Sequence, residues 1–176
     1  MRTEYMLEQQ VELVLQLLTP ANRAVLRTAL HTGLRIGDVL ALKPDQLKPN
    51  FWVTEQKTKK RRQVGLPAPL LCDLQEMAGT WWVFPGASPR KHRTRQAVWK
   101  DMKRAALAAR FPQNCAPHSF RKVYAVQLLQ KYGDMARVQK ALNHRSQEVT
   151  MLYALADHML SHPAQKRRQS PGRTRA

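Results

Sequence analysis

The chain has 176 residues, 43% of them hydrophobic, which is enough for one globular domain and excludes a disordered polycation. Thirty Lys and Arg residues against twelve Asp and Glu leave a net charge of +18, which indicates a polyanionic partner. Nucleic acid is the first candidate, and the alternatives are a ribosomal-type RNA binder or a peripheral membrane protein.

Cysteine usage and hydropathy argue against a disulfide-stabilised, a secreted or a membrane-spanning protein. Cys72 and Cys115 are too few for a disulfide framework and are not spaced as metal ligands. No run approaches the ~20 apolar residues that span a bilayer, and the opening residues lack the apolar core of a signal peptide. We therefore expect a cytoplasmic location, with both thiols reduced.

The first half of the chain predicts helices followed by a β-hairpin. In chain order we expect helices over residues 4–18, 22–31 and 34–42, strands over 51–56 and 61–66, and a basic turn over 57–60. Pro20 ends the first helix, and Gly33 supplies the left-handed turn that closes the second.

The second half is predicted to be almost entirely helical. We expect a buried extended segment over 81–84 and helices over 70–77, 94–110, 117–131, 135–143 and 146–157. The helix over 94–110 has a cationic outer face. Residues 1–157 would form the domain, and 158–176 a basic, flexible tail that is able to bind DNA.

Two arginines stand where helix starts are predicted. Pro117 is favoured at the first position of a helix, so His118 and Arg121 would share the face of a first turn, where an anion binds well. Arg35 follows the Gly33 turn, and Asp38 could fix its guanidinium by a carboxylate contact. The alternatives are an ordinary solvated helix start and a weak surface ion pair.

These residues lie in two of three strings that together resemble a known active site. The strings are Thr32-Gly-Leu-Arg-Ile-Gly-Asp38, Pro117-His-Ser-Phe-Arg-Lys122 and Leu142-Asn-His-Arg-Ser-Gln-Glu-Val-Thr-Met-Leu-Tyr153. In that order they resemble the tyrosine recombinases of the phage integrase family, over roughly residues 7 to 157. The resemblance implies an α+β, mainly helical catalytic domain with a small antiparallel β-sheet at one edge.

The resemblance also implies a role for each residue. Arg35, Arg121 and His144 would contact the scissile DNA phosphate, and Tyr153 would attack it to form a 3′-phosphotyrosyl link. Because a phenol of pKa ~10 is about 0.1% ionised at neutral pH, Tyr153 needs either cationic neighbours that lower its pKa or a base that takes its proton, and His118 is the candidate base. Lys57 would be the general acid, with Lys59 and Lys60 as competitors. Tyr124, between Val123 and Val126, is assigned to the core.

The resemblance implies partners but neither metal nor nucleotide cofactor. Double-stranded DNA would be held by four protomers, with accessory DNA-bending proteins possible, which places the protein at the nucleoid. Further DNA contacts are expected among the basic residues Lys59, Lys60, Arg61, Arg90, Lys91, Arg93, Arg95, Lys100, Lys103 and Lys122.

Some features depart from the family pattern. Most members carry a separate helical domain before the catalytic one, and Arg35 lies too near the start for it, so the chain is a fragment or a naturally short type. Asn143 replaces the usual glycine, and Lys122 stands where histidine is common. The alternative functions are a type IB topoisomerase and a non-catalytic basic DNA-binding module. The DNA site, and the choice between integration, excision, inversion and resolution, stay open.

Overall fold

The computed structural model describes residues 5–111 and 114–142, and it confirms a mainly helical α+β fold. The described elements are α1 (Glu8–Leu17), α2 (Pro20–Thr32), α3 (Ile36–Leu40), a 3₁₀ turn (Pro44–Gln46), β1 (Asn50–Thr54), β2 (Arg61–Gly65), α4 (Ala68–Met77), α5 (Arg95–Ala108), α6 (Pro117–Tyr132) and α7 (Met135–Leu142). Within the described ranges, no helix has the length and apolar composition to cross a membrane.

The core forms around α2, which packs against α1, α3, α4, α5 and α6. Its largest fully buried side chains come from several elements and include Leu26, Leu40, Phe84, Met102 and Phe120. Burying a leucine or phenylalanine side chain contributes about 1.5–3 kcal/mol. This packing fixes the C-terminal end of α2 and the N-terminal end of α6, and these two ends border the cleft described below.

Polar side chains fix the corner between α1 and α2. Arg23 donates to the carbonyl oxygens of Leu15 at 2.7 Å and Gln16 at 2.9 Å, which satisfies the open end of α1. Asp101 on α5 accepts from the backbone N–H of Thr19 at 3.0 Å and from its hydroxyl at 2.7 Å. The corner is therefore tied to a helix some eighty residues away in sequence.

The two strands form an antiparallel hairpin whose alternation explains which side chains turn inward. Phe51 pairs with Val64 and Val53 with Arg62, so these four side chains share one face. Phe51, Val53 and Val64 are buried, whereas Trp52 on the other face is 50% exposed. The same period of two carries Glu55, directly after β1, to the inner face.

Several predicted boundaries shift. α2 starts at Pro20 rather than residue 22, because proline is tolerated at the first helical position. The third helix starts at Ile36, with Arg35 as its N-cap, and not at residue 34. In the predicted extended segment over 81–84, Val83 and Phe84 are buried but Trp81 is 54% exposed. The predicted helix over 146–157 and the tail lie outside the described residues.

Candidate active site

A cleft of about 420 Å³ gathers the four described residues for which a catalytic role is predicted, together with Asp38. Its walls come from the α2–α3 junction, the turn of the hairpin, the start of α5 and the start of α6. The basic side chains that line it, with the histidine, are Arg35, Lys57, Arg95, His118 and Arg121. Asp38 is the one acidic residue in the described lining, so the wall carries a surplus of positive charge.

The position of Arg35 follows from the turn before it. Gly33 ends α2 in the left-handed conformation at φ +62°, and a Cβ there would lie 2.4 Å from the ring of Tyr124. Glycine is required on both counts. Tyr124 is half-buried and packs against the apolar cluster of α6 and α7, as its assignment to the core implies. Arg35 then serves as the N-cap of α3.

The prediction that Asp38 contacts the Arg35 guanidinium is wrong. Arg35 pairs instead with Glu55, its Nη1 lying 2.6 Å from Oε2. Arg35 has extended backbone dihedrals (φ −68°, ψ 147°), so a spacing of three residues does not put the two side chains on one helical face. Asp38 is buried, and its Oδ1 accepts from the backbone N–H of Gln56 at 2.9 Å. Asp38 therefore supports the hairpin turn.

Glu55 joins two arginines and the turn that carries Lys57. Its Oε2 contacts Arg35 and also accepts from the Thr58 hydroxyl at 2.9 Å, while its Oε1 lies 3.1 Å from Nε of Arg62. Arg62 also donates from Nη2 to the carbonyl oxygen of Thr32 at 2.9 Å. The Glu55 side chain is fully buried. The hairpin and the α2–α3 junction are thereby joined through one carboxylate.

The charges around Glu55 keep it ionised. Burial by itself would raise the pKa of this carboxyl group, but the Thr58 hydrogen bond and the positive charges of Arg35, Arg62 and Arg121 outweigh burial. The net effect is a pKa below the ordinary value for glutamate. Glu55 is therefore an anion at neutral pH, behind the cationic wall.

Arg121 connects the start of α6 with two other segments. α6 begins at Pro117, as predicted, so His118 and Arg121 fall in its first turn and a half. Arg121 is 2% exposed and donates from Nη1 to the carbonyl oxygen of Gly33 and from Nη2 to that of Leu142. Because Gly33 lies two residues before Arg35, the first of these bonds brings the two arginines to the same cleft. His118 is half-buried in its wall.

The geometry separates the three lysines of the hairpin turn. Lys57 is exposed and lines the cleft, whereas Lys59 and Lys60 are exposed but do not belong to its wall. Lys59 adopts the left-handed conformation (φ 57°), and its backbone N–H donates to the Glu55 carbonyl oxygen at 2.9 Å. The conformation of the turn thus aims Lys57 at the cleft and turns its neighbours away.

The other predicted DNA contacts are spread over the surface. Arg61, Arg90, Lys91 and Lys100 are exposed, and Arg93, Lys103 and Lys122 are half-buried. Lys103 bonds Oδ1 of Asn114 at 2.7 Å. Only Arg95 of this set lines the cleft. Its guanidinium covers Gly37, where a Cβ would lie 2.4 Å from Nη2.

The sequence analysis missed Glu55 and Arg62. A signal was present, because Glu55 is the single acidic residue between Asp45 and Asp73 and lies among six basic ones. A lone acid in such a run indicates a specific partner for one of the bases. His144 and Tyr153 lie outside the described residues. Among residues 5–111 and 114–142, no cluster of His, Cys, Asp and Glu is suited to hold a metal ion.

Comparison with known proteins decides the family. Residues 4–159 match the model of the phage integrase family. The chain belongs to the phage integrase family. A probable integrase/recombinase of Bacillus subtilis, YoeC, is 31% identical over 143 residues, which cover 78% of each chain. Against the next curated members that it matches, the chain spans between 43% and 55% of their length.

Solved structures of the family share this fold. The catalytic domain of bacteriophage HP1 integrase superposes with a TM-score of 0.66 at 21% identity, over 98% of this chain and 100% of that domain. A lambda integrase tetramer bound to a Holliday junction gives 0.70 at 19% identity, over 86% of this chain and 48% of that one. The expected catalytic-domain fold, with a small antiparallel sheet, is confirmed.

Proposed function

We propose that this chain is a site-specific DNA recombinase that cleaves and rejoins strands through a 3′-phosphotyrosyl intermediate on Tyr153. The convergence of Arg35, Lys57, His118 and Arg121 on one cleft carries the proposal. These residues come from three separate parts of the chain, and an ordinary solvated helix start would not bring them together. Membership of the phage integrase family supports the same chemistry.

The electrostatics of the cleft suit a phosphodiester. When an alkoxide or phenoxide attacks phosphorus, negative charge grows on the two non-bridging oxygens, and preorganised donors are the largest catalytic contribution. Arg121 is held by two backbone carbonyls and Arg35 by Glu55, so neither guanidinium needs to reorganise during the reaction. His144 would add a third donor, and the chain reaches Arg121 at Leu142, two residues earlier.

The reaction exchanges one ester for another. The phenol oxygen of Tyr153 bonds to phosphorus while the bond from phosphorus to the 5′ oxygen breaks. The phenol proton passes to His118, and the Lys57 ammonium gives a proton to the departing 5′ oxygen. Attack by the 5′ hydroxyl of a second strand reverses these steps and restores a phosphodiester. The energy of the original bond is retained in the phosphotyrosine, so religation needs no nucleotide.

The expected partner is double-stranded DNA. The net charge of +18 and the cationic cleft fit a polyanion. Family members have been solved on DNA, including the lambda integrase tetramer on a Holliday junction. We propose four protomers on two duplexes for this chain as well, with accessory DNA-bending proteins as possible partners and the nucleoid as the cellular location.

Covalent trapping tests the assignment and selects the DNA site in the same experiment. The chain is incubated with a pool of nicked duplexes of randomised central sequence, and DNA that stays attached in SDS is recovered, sequenced and resynthesised. We expect the wild type and Tyr132→Phe, a matched change at an exposed tyrosine outside the cleft, to form the adduct. Tyr153→Phe should still bind the selected duplex but form no adduct.

Other outcomes contradict the proposal. An adduct with Tyr153→Phe moves the nucleophile elsewhere. Binding without any adduct from the wild type indicates a non-catalytic DNA-binding module. Relaxation of a supercoiled plasmid that lacks the selected sequence indicates a type IB topoisomerase.

A further inference from the structure

Glu55 occupies an unusual place for a carboxylate in a protein that handles an anion. It is fully buried directly behind the cleft, and it contacts Arg35, Thr58 and Arg62. A carboxylate near a phosphate site repels the substrate, and burying a charge is unfavourable unless its partners compensate. A buried carboxylate with these contacts can hold its partners in a particular geometry.

The contacts of Glu55 reach two parts of the proposed chemistry. Its Oε2 lies 2.6 Å from Nη1 of Arg35 and accepts from the hydroxyl of Thr58 at 2.9 Å, so one oxygen joins Arg35 to the turn that carries Lys57. Its backbone closes that turn, since its N–H donates to the Lys60 carbonyl oxygen at 3.0 Å and its carbonyl accepts from Lys59 at 2.9 Å. Lys57 lies in the turn directly before Thr58.

The residue before Lys57 in the turn, Gln56, is also fixed by hydrogen bonds. The backbone N–H of Gln56 donates to Asp38 at 2.9 Å, and the Gln56 side chain reaches the Gly37 carbonyl oxygen at 3.4 Å. Lys57 thus stands between two residues whose positions are fixed, one by α3 and one by Glu55. Without Glu55, Thr58 would lose this contact, and the Arg35 and Arg62 guanidinium groups would repel each other.

We propose that Glu55 is a positioning residue that sets Arg35 and Lys57 in a common geometry for strand cleavage. The inference rests on the proposed function. Arg35 has five N–H donors in a rigid fork, and the contact through Nη1 determines how the remaining edge faces the cleft. Lys57 is exposed and flexible by nature, so its aim depends on the turn.

Two substrates separate positioning of Lys57 from a general loss of structure. The duplex recovered by covalent trapping is synthesised with either oxygen or sulfur bridging the scissile phosphorus and the 5′ carbon. A thiolate leaves without protonation, so the sulfur substrate does not need the general acid. Single-turnover cleavage is measured with saturating enzyme for the wild type, Glu55→Gln and Lys57→Ala. The matched control is Asp73→Asn, which also breaks a contact between an arginine and a carboxylate, at the exposed Arg27–Asp73 pair.

We expect Glu55→Gln to cleave the oxygen substrate about 10- to 100-fold more slowly than the wild type. Its loss on the sulfur substrate should be smaller by at least about threefold, because only the contribution through Arg35 remains. The sulfur substrate should restore the cleavage rate of Lys57→Ala more fully than that of Glu55→Gln. Asp73→Asn should match the wild type on both substrates. For one variant, the ratio of the two rate constants does not depend on the fraction of protein that is folded.

Two results would overturn the inference: cleavage by Glu55→Gln within about twofold of the wild type, or an equal loss on both substrates. If Glu55→Gln does not fold, Glu55→Asp, which keeps the charge on a shorter side chain, takes its place, and an unchanged ratio of rates has the same meaning. Failure of the wild type to form an adduct contradicts the proposed function itself. A reactive wild type with a normal Glu55→Gln contradicts only the inference.

Discussion

Two buried carboxylates, Glu55 and Asp101, have nearly the same chemistry and different surroundings. Each contacts an arginine and hydroxyl or amide donors, and each has a lowered pKa. Asp101 is surrounded by donors from Thr19 and Asn22 and by one guanidinium, that of Arg104. Glu55 lies among three positive charges, those of Arg35, Arg62 and Arg121, and the first and last of these border a cleft.

The comparison shows which feature indicates a site. Around Asp101 the hydrogen bonds join the corner of α1 and α2 to α5, and Arg104 also donates to the Leu17 carbonyl oxygen at 2.6 Å. That cluster stabilises the fold. Around Glu55 the guanidinium groups carry more positive charge than one carboxylate neutralises. Two of them, Arg35 and Arg121, border the cleft, as a binding site for an anion requires. A buried carboxylate next to an arginine is therefore not by itself evidence of a site. The evidence is positive charge in excess of what the carboxylate neutralises.

Exchanging one arginine of each cluster for alanine should separate the two roles most strongly. Arg35→Ala should lower single-turnover cleavage by about 10²–10³-fold, which corresponds to the ~2.7–4 kcal/mol lost with one preorganised donor. Arg104→Ala should lower the melting temperature and leave the cleavage rate of the folded enzyme unchanged. Equal effects of both changes on cleavage would remove the distinction between the clusters.

Removing the carboxylate of the structural cluster should cost stability rather than activity. Asp101→Ala leaves the Thr19 N–H and the Asn22 amide without their acceptor, so we expect a loss of about 2–4 kcal/mol in the free energy of unfolding. Urea denaturation measures this loss, and cleavage assayed below the melting temperature should be normal. A loss under about 0.5 kcal/mol would show that the cluster does not stabilise the corner.

The pH dependence of stability sharpens the same comparison. Burial alone would raise the pKa of Asp101, but the bonds from Asn22, Thr19 and Arg104 lower it from 3.8 to about 2. A lowered folded-state pKa gives stability that is complete above the unfolded value, so about 2 kcal/mol should be lost as the pH falls from about 4 through about 2. Glu55 acts in the same direction.

Urea midpoints across this pH range check that expectation. The urea midpoint of Asp101→Asn should fall less steeply with decreasing pH than that of the wild type, because the variant lacks the group that titrates. A fall as steep as that of the wild type would assign the acid sensitivity to other carboxylates.

Local pattern predicts the outline of the site. The Gly33 turn and Pro117 are strong backbone signals, so the helix ends that present Arg35 and Arg121 can be located in sequence. The basic turn after a strand likewise locates Lys57. The structure brings all three to one cleft, together with His118.

The contacts between distant segments cannot be predicted in this way. A spacing of three residues pairs Arg35 with Asp38, but Arg35 caps its helix and its side chain meets Glu55, twenty residues away. Asp101 and Arg104 resemble an ordinary surface pair on a helix, yet Asp101 is buried by partners 79 and 82 residues away. Such pairings depend on how elements pack, which the periodicity of one segment does not contain.

The central claim is that Arg35 and Arg121 bind the non-bridging oxygens of one scissile phosphate. It is tested by replacing one of those oxygens with a methyl group, which removes the negative charge that the arginines neutralise. Single-turnover cleavage of the ordinary and the methylphosphonate duplex is compared for the wild type, Arg35→Ala and Arg121→Ala. We expect at least one of the two variants to lose much less activity on the neutral substrate than on the charged one. Equal losses on both substrates for both variants would contradict it.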